Sequence, residues 1–537
     1  MSPVLESDIE VITATIPFND DEKPPTSDAG STKGLVSIKP VKYFKEDAAL
    51  VADTVTAEVE INAASSATSR EGLDLVVVLD ISESMEEDDR IGKMKKAMHF
   101  VIMKLTPVDR LSICAFSNVA ARYSPLFSVT PAGQNNLMAL VDNFAAGGGT
   151  NIEGGLICAL AVISNRVHTK GRTANIFLMS DGQESTGNAR QVDLGDVPVY
   201  TFGFGKDTDH QLLSDIAKKS PGGTFSSVPD GTNLSLPFSQ LLGGLLTIIA
   251  QDVKLTITPK TDDGDVDTIV VAPGTDYTQT TDADTGVITI KFGTLFAGEG
   301  RRVIINLDLK DSAADSEYDA ALAEAQHSYT VQGKLQNQTP QDIQILRTPN
   351  PTEAPGTSIK ARHLQAELAR RQHAEAIGQA RVLADAKELD DARYKLTDAQ
   401  NSLDDIMLND GQKLVSALRA ELLQLLKLME TQDLYEATGR AYALAAEASH
   451  GRQRYAYRGS DDTDDIRLFS TPRMDTYRKQ AHDFEKDSTA PLPSADEDVK
   501  QETAANPLAS IAAELAVYLQ NAIQALQAIE KIVSTST

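Results

Sequence analysis

Residues 73–85 read LDLVVVLDISESM. From Leu75 to Leu79 every side chain is apolar, and three of the five are valine, the pattern of a short strand covered on both faces. The polar run that follows, Asp80-Ile-Ser-Glu-Ser84, reads as the loop leaving that strand. A strand buried on both faces needs helices above and below it, and the chain supplies them as far as about Ala250. The strand candidates LDLVVVLD, RLSICAF, NIFLMSD, VPVYTFGFG and GTFSSV alternate with the helix candidates RIGKMKKAMHFVIMKL, QNNLMALVDNF, NIEGGLICALAVISNR, DHQLLSDIAKK and PFSQLLGGLLTIIA. This alternation over 73–250 predicts an α/β fold, a doubly wound, mostly parallel sheet.

On either side the period changes to two. VSIKPVKYF and DTVTAEVEIN lie before the block, within 35–72. VKLTITP, DTIVVAP, GVITIKFG, RRVIINLDL and HSYTVQGKL lie after it, within 251–348. Alternation of this kind describes half-buried strands of an antiparallel sheet. We expect the two sets to pair, which makes the α/β domain an insertion in a β-sandwich. Residues 357–480 are rich in Ala, Leu, Glu and Arg at helical spacing, with a helix-to-helix turn at KELDD, and predict an α-helical region. Residues 1–34 read as a disordered acidic leader and 481–505 as a polar linker. Residues 506–534 are expected to form an amphipathic C-terminal helix lined by Leu508, Ile511, Leu515, Leu519 and Leu526, whose apolar face is expected to dock on this chain's own helices more readily than on a partner.

Composition excludes several classes of function. Across 537 residues, 77 Asp and Glu face 50 Lys and Arg, a net charge of −27. So acidic a surface repels nucleic-acid phosphates and anionic lipid. Leu241–Ala250, the longest apolar stretch, is too short for a membrane span, and the N-terminus has acidic residues where a secretory signal needs basic ones. From these features we expect a chain inside the cell, in the cytoplasm. Two cysteines, Cys114 and Cys158, cannot build a disulfide framework, a zinc finger or a RING domain, and read as small buried hydrophobes. No Gly-x-Ser-x-Gly elbow, Walker loop or His-Glu-x-x-His motif is present, so no catalytic residue is assigned and a non-enzymatic role is expected.

The chemistry-bearing residues cluster at predicted strand ends: Asp80, Ser82 and Ser84 after the first strand, Thr150 in the loop Gly147-Gly-Gly-Thr-Asn151, and Asp181 at the end of NIFLMSD. Loops at the carboxyl ends of parallel strands meet at the point where strand order reverses. All five side chains are hard oxygen donors, which suits Mg²⁺ first, then Mn²⁺ or Ca²⁺, and argues against zinc or copper. Three of the five are neutral hydroxyls, so a bound ion keeps positive charge and can take a Glu or Asp from a protein partner. Glu83 and the nearby Glu86, Glu87, Asp88 and Asp89 make the rim acidic, and one of them can itself fill the open position.

In order and placement, the Asp-Ile-Ser-Glu-Ser-Met run, the Gly-Gly-Gly-Thr-Asn loop and the Ser-Asp-Gly turn resemble the metal-ion-dependent adhesion site of the von Willebrand factor type A (VWA) domain. The layout with a β region and a helical tail, including Gly439-Arg-Ala-Tyr442 and Thr471-Pro-Arg-Met474, resembles the plant WAVY GROWTH-type RING/VWA/Vwaint proteins over about 35–480. That resemblance implies an interaction module. One alternative is an adaptor or regulator of a RING-type ubiquitin ligase relative; another is a VWA subunit of an ATPase remodelling or chelatase machine. In the helical tail, His363, His373 and the pair Arg370-Arg371 read as a solvated, charge-mixed face.

Overall fold

A computed structural model describes residues 34–486 except 66–69, 182, 231–234, 262–263, 353–358, 405–411 and 460–466, together with Asp20, residues 22–25 and Asp498. The expected C-terminal helix, 506–534, lies outside the described residues.

Four short strands open the described chain: β1 (Val36–Ile38), β2 (Lys42–Tyr43), β3 (Asp47–Ala49) and β4 (Asp53–Ala63). The α/β block then runs β5 (Gly72–Asp80), α1 (Arg90–Lys104), β6 (Arg110–Phe116), β7 (Ala120–Arg122), β8 (Phe127–Ser128), α2 (Pro131–Asp142), α3 (Ile152–Ser164), β9 (Arg172–Ser180), β10 (Val199–Phe204), α4 (His210–Lys219), β11 (Phe225–Val228) and α5 (Ser235–Leu245). Its sheet has the order β11-β10-β9-β5-β6-β7, with β8 also paired to β6. The pairs β10–β11, β9–β10, β5–β9 and β5–β6 are parallel. All nine residues of β5 are buried, as the apolar run requires. The chain passes from β5 to β6 on one side and returns to β9 on the other, so the switch point lies between the carboxyl ends of β5 and β9.

Eight strands follow: β12 (Ile248–Pro259), β13 (Val266–Val271), β14 (Thr278–Thr281), β15 (Ile288–Phe296), β16 (Gly300–Leu309), β17 (Tyr318–Val331), β18 (Lys334–Asn337) and β19 (Gln341–Thr348). They join β1–β4 in two sheets, β1-β4-β16-β13 with β2 on β4, and β14-β15-β12-β17-β19-β3 with β18 on β17. The register from Gly300↔Asn62 to Leu309↔Asp53 zips β16 antiparallel along β4. The α/β block is thereby inserted in a β-sandwich, whose core takes Val55, Val59 and Ile61 from one sheet and Leu255, Ile257 and Leu322 from the other. Among the described residues of the sandwich, only β3 and β19 pair in parallel.

Three predicted boundaries are corrected. HSYTVQGKL is divided between β17 and β18, and helix from Pro472 continues to Lys486, past the expected start of the linker at 481. The helix over PFSQLLGGLLTIIA stops at Leu245, and Ile248–Ala250 begins β12. Thr247, Ile248 and Ile249 are β-branched and lose rotamer freedom in a helix. Gly243 and Gly244 are helical, and they serve close packing. A Cβ on Gly243 would lie 2.9 Å from the carbonyl oxygen of Arg473, and one on Gly244 would lie 2.5 Å from Met474 Cε.

The helical tail comprises α6 (Ile359–Asp385), α7 (Leu389–Asp404), α8 (Gln412–Leu428), α9 (Gln432–Leu434), a π turn at Tyr435–Gly439, α10 (Arg440–Arg452) and α11 (Pro472–Lys486). The turn between α6 and α7 falls at the predicted KELDD, where Lys387 has φ +66°. Helix α11 lies over α5, so the tail packs on the α/β domain. No helix among the described residues is long and apolar enough to cross a membrane.

Candidate functional site

At the switch point four of the five expected residues form one hydrogen-bonded chain. The Ser82 amide donates to Asp80 Oδ1 at 2.9 Å, the Ser82 and Ser84 hydroxyls lie 3.0 Å apart, and Ser84 Oγ donates to Asp181 Oδ1 at 2.7 Å. Thr150 enters through main chain. The Glu83 amide donates to the Gly148 carbonyl at 3.0 Å and the Gly147 amide to the Ile81 carbonyl at 2.8 Å, which clips the glycine loop to the serine loop. Ser185 Oγ then accepts from the Thr150 amide at 2.8 Å, and Asn118 Oδ1 accepts from the Gly149 amide at 2.7 Å. Asp80, Ser82, Thr150 and Asp181 are buried.

The two carboxylates are compensated differently. Asp181 Oδ2 accepts from Arg90 Nη1 at 2.9 Å, and the same guanidinium reaches Asp230 at 3.0 Å. Asp80 accepts from the Ser180 hydroxyl at 2.6 Å and from the Ser82 amide. No basic side chain among the described residues pairs with it. Burial, and then the charge of Asp181, push the Asp80 carboxyl up to about 6 against the pull of the Ser180 and Ser82 hydrogen bonds. Burial raises Asp181 as well, with Ser84 and Arg90 opposing. A fully buried carboxylate beside a second one, with only neutral donors, is an environment that a hard cation would relieve. The hydroxyl and carboxylate donors fit such an ion chemically.

Arg90 was not anticipated. It closes an acidic run, Glu86-Glu87-Asp88-Asp89, where an isolated cation is the signal that sequence offers. Gly205, at φ +77°, lets the guanidinium pass over the backbone: a Cβ there would sit 2.4 Å from Arg90 Nη2. The rim acids Glu83, Glu86, Glu87, Asp88 and Asp89 are exposed. Glu87 comes within 3.6 Å of Arg90, while Glu83 is held through its amide on Gly148.

A second polar cluster corrects the reading of the tail. His373 and the pair Arg370-Arg371 are buried, not solvated; the His363 side chain lies outside the described residues. His373 Nε2 and His450 Nε2 lie 2.6 and 2.8 Å from Glu421 Oε2, and Arg458 pairs with Glu421 Oε1. Arg370 Nη1 donates to His450 Nδ1 at 3.3 Å. Arginine has no acceptor, so His450 Nδ1 must accept and its proton sits on Nε2, directed at Glu421. Two imidazole N–H groups and a guanidinium thus converge on one carboxylate, a clamp joining α6, α8, α10 and the segment after α10.

Burial, followed by Arg370, drives His450 down to about 3, and burial, then His450, Arg458 and Arg370, drive His373 well below its ordinary value. Both folded-state values lie below the unfolded one near 6.5. The unfolded chain therefore takes up protons first as pH falls. Stability from this cluster is complete above about pH 6.5 and is lost progressively below it, with a slope of up to about 2.7 kcal/mol per pH unit for two groups. Urea midpoints of the native chain and of His373→Gln/His450→Gln, compared between pH 7 and 5, should converge as pH falls. The groups that face these rings (Glu421, Glu367, Arg370 and Arg458) stay in both proteins, and so does the buried His210, so the difference isolates the pair. Parallel lines would refute the assignment.

Residues 74–240 match the model of the von Willebrand factor type A domain, and residues 412–483 match VWA / Hh protein intein-like. The chain thus contains a VWA domain, and its tail a Vwaint match; VWA domains typically mediate protein interaction. Among its relatives is the E3 ubiquitin-protein ligase WAV3 of Arabidopsis thaliana, 25% identical over 395 residues, which cover 69% of this chain and 48% of that protein. Inter-alpha-trypsin inhibitor heavy chain H1 of Bos taurus is 25% identical over 162 residues, 28% of this chain and 18% of that one. The chain therefore spans about half the length of the first relative and less than a fifth of the second. A solved von Willebrand factor type A structure from Catenulispora acidiphila superposes with a TM-score of 0.58 at 16% identity, covering 81% of this chain and 98% of that chain, a likeness of fold.

Proposed function

We propose that this protein is a non-enzymatic interaction module that takes an Asp or Glu of a protein partner through a divalent cation, Mg²⁺ first, held by Asp80, Ser82, Ser84, Thr150 and Asp181. The observation that carries the reading is Asp80: a buried carboxylate at the switch point, lacking a basic partner among the described residues and adjoining hydroxyls and a second carboxylate. Such a group is costly unless a cation joins it. VWA domains commonly bind a divalent metal at this place in the fold. The ion would supply a Lewis-acidic point of attachment for the partner's carboxylate. The protein's share of the work is positional: the Gly148–Glu83 and Gly147–Ile81 hydrogen bonds fix the two loops, and Arg90 holds Asp181.

The test is capture from a native extract in Mg²⁺ and again in EDTA. The partner should be retained in the first and fall at least tenfold in the second, and Thr150→Ala should lose it in both. A catch indifferent to EDTA and to Thr150→Ala would defeat the reading. The similarity to WAV3 over 395 residues favours a second reading, an adaptor or regulator of a RING-type ubiquitin ligase. RING proteins and ubiquitin in the Mg²⁺-dependent catch would support it, whereas a hexameric ATPase would point to a remodelling machine.

A further inference from the structure

The two cysteines that the sequence reading treated as inert packing meet in space. Cys114 lies on β6 and Cys158 on α3, and their sulfurs are 3.0 Å apart and share a hydrogen bond. Both are free thiols; Cys114 is buried, and Cys158 is partly buried beside the exposed Ile157. A disulfide bond needs a further approach of roughly 1 Å. Arg122 is the cross-strand partner of Cys114 in the β6–β7 pair. Its guanidinium donates to the Ser124 carbonyl at 2.9 Å and pairs with Asp20 at 2.6 Å, so it is fixed near the sulfurs.

We propose that Cys114 and Cys158 are a reversible redox site, a dithiol that a hydroperoxide oxidises to a disulfide binding α3 to β6. The geometry assigns the roles. Cys158, the less buried of the two, attacks the terminal peroxide oxygen; the O–O bond breaks, the alkoxide (hydroxide for hydrogen peroxide) leaves with the thiol proton as alcohol or water, and Cys158 becomes a sulfenic acid. The Cys114 sulfur then attacks the sulfenic sulfur, the S–O bond breaks, and the departing oxygen takes the Cys114 proton and leaves as water. The net change is two thiols and one hydroperoxide giving one disulfide, one water and one alcohol, or a second water when the oxidant is hydrogen peroxide. The shared hydrogen bond holds the Cys158 thiol below its ordinary value, with Arg122 assisting against burial; the same bond and then burial hold Cys114 well above its own. That is the polarity these roles require.

The bond would grip α3 one turn beyond a close contact with the sheet at Gly155. A Cβ on Gly155 would lie 2.7 Å from Phe116 and 2.8 Å from Val78, so the helix cannot slide inward there. It can only be fastened on either side.

The experiment uses the full chain, reduced and then exposed to stoichiometric hydrogen peroxide. Peptide mapping should find the Cys114 and Cys158 peptides joined, with the mass of two hydrogens lost, the monomer retained, a raised denaturation midpoint, and full reversal by dithiothreitol. Cys114→Ser should leave a Cys158 sulfenate that dimedone traps, and Cys158→Ser should leave Cys114 unreactive on the same timescale. Dimers linked between chains, or oxidation of Cys114 in the Cys158→Ser variant as fast as in the native chain, would overturn the proposal. None of these readouts involves a metal ion, so the outcome is independent of the function proposed for Asp80.

Discussion

Glu299→Ala should destabilise the chain by about 3–5 kcal/mol, a large part of the margin that keeps most domains folded. Glu299 is buried in the turn just before β16, and its carboxylate anchors Arg454, which touches all three parts of the molecule. Arg454, from the segment after α10, forks onto it with Nε to Oε1 at 2.8 Å and Nη2 to Oε2 at 2.7 Å. Arg301 adds a contact at 2.8 Å, and the Phe296 amide one at 2.9 Å. Through its other donors Arg454 reaches the Thr294 carbonyl in the sandwich, and the Gly222 carbonyl and Tyr200 hydroxyl in the VWA domain, while its guanidinium lies 3.9 Å over the Phe296 ring. Burial pushes the Glu299 carboxyl up, but Arg301 and Arg454 outweigh it and hold it below the usual range. Alanine would strand two buried guanidiniums, while Glu299→Gln, keeping shape and one acceptor, should fall between. The chain has no Trp, so calorimetry or far-ultraviolet circular dichroism is the suitable probe. The alanine variant should melt well below the native chain, with the single transition splitting as VWA domain, sandwich and tail lose their common anchor. A shift of under about 1 kcal/mol, with one sharp transition, would show that the contacts are replaceable.

What could be read from sequence was whatever repeats locally. The run Leu75–Leu79 and the alternation in β4 and β16 carry their own period, and the strand ends carry the oxygen donors. Tertiary context decided the rest. Residues Ala320–Ala325 have a helix former's composition, yet they lie in β17, because β12 and β19 flank them and supply the hydrogen bonds. Arg454 and Glu299, 155 positions apart, show no pairing in the linear pattern. A buried, paired His373 and a solvated one look alike there, since polarity reports the side chain and not its partner. Arg90 illustrates the same limit within the site: it was visible as a residue, but its hold on Asp181 depends on Gly205 letting it cross the backbone.

Asp80→Asn should make the metal-free protein more stable while removing its response to metal. Asp80 is 0% exposed. Its folded value of about 6 lies above an unfolded value of 3.8, so the native state is the one that keeps the proton longer. The penalty is absent at low pH, sets in as pH rises from about 4 to about 6, and stays at about 3 kcal/mol above that. Asparagine has the same shape and no charge. Its Oδ1 can accept the Ser82 amide as before, and the Ser180 hydroxyl can rotate to accept from the new amide. At pH 7 in EDTA the variant is therefore expected to gain about 1–3 kcal/mol over the native chain. In Mg²⁺ the order should reverse or close: at a hundredfold excess over the dissociation constant, a bound ion adds about 2.7 kcal/mol to the native chain and nothing to the variant. Thermal denaturation of both proteins with and without Mg²⁺ provides the check. If Asp80→Asn is less stable in EDTA, the carboxylate is a structural acceptor for Ser180 and Ser82; if Mg²⁺ moves neither protein, the oxygen cluster holds no ion. A crossing of the two stabilities is the result that only a cation site produces, because a charge kept at a stability cost needs its counter-charge to come from outside the chain.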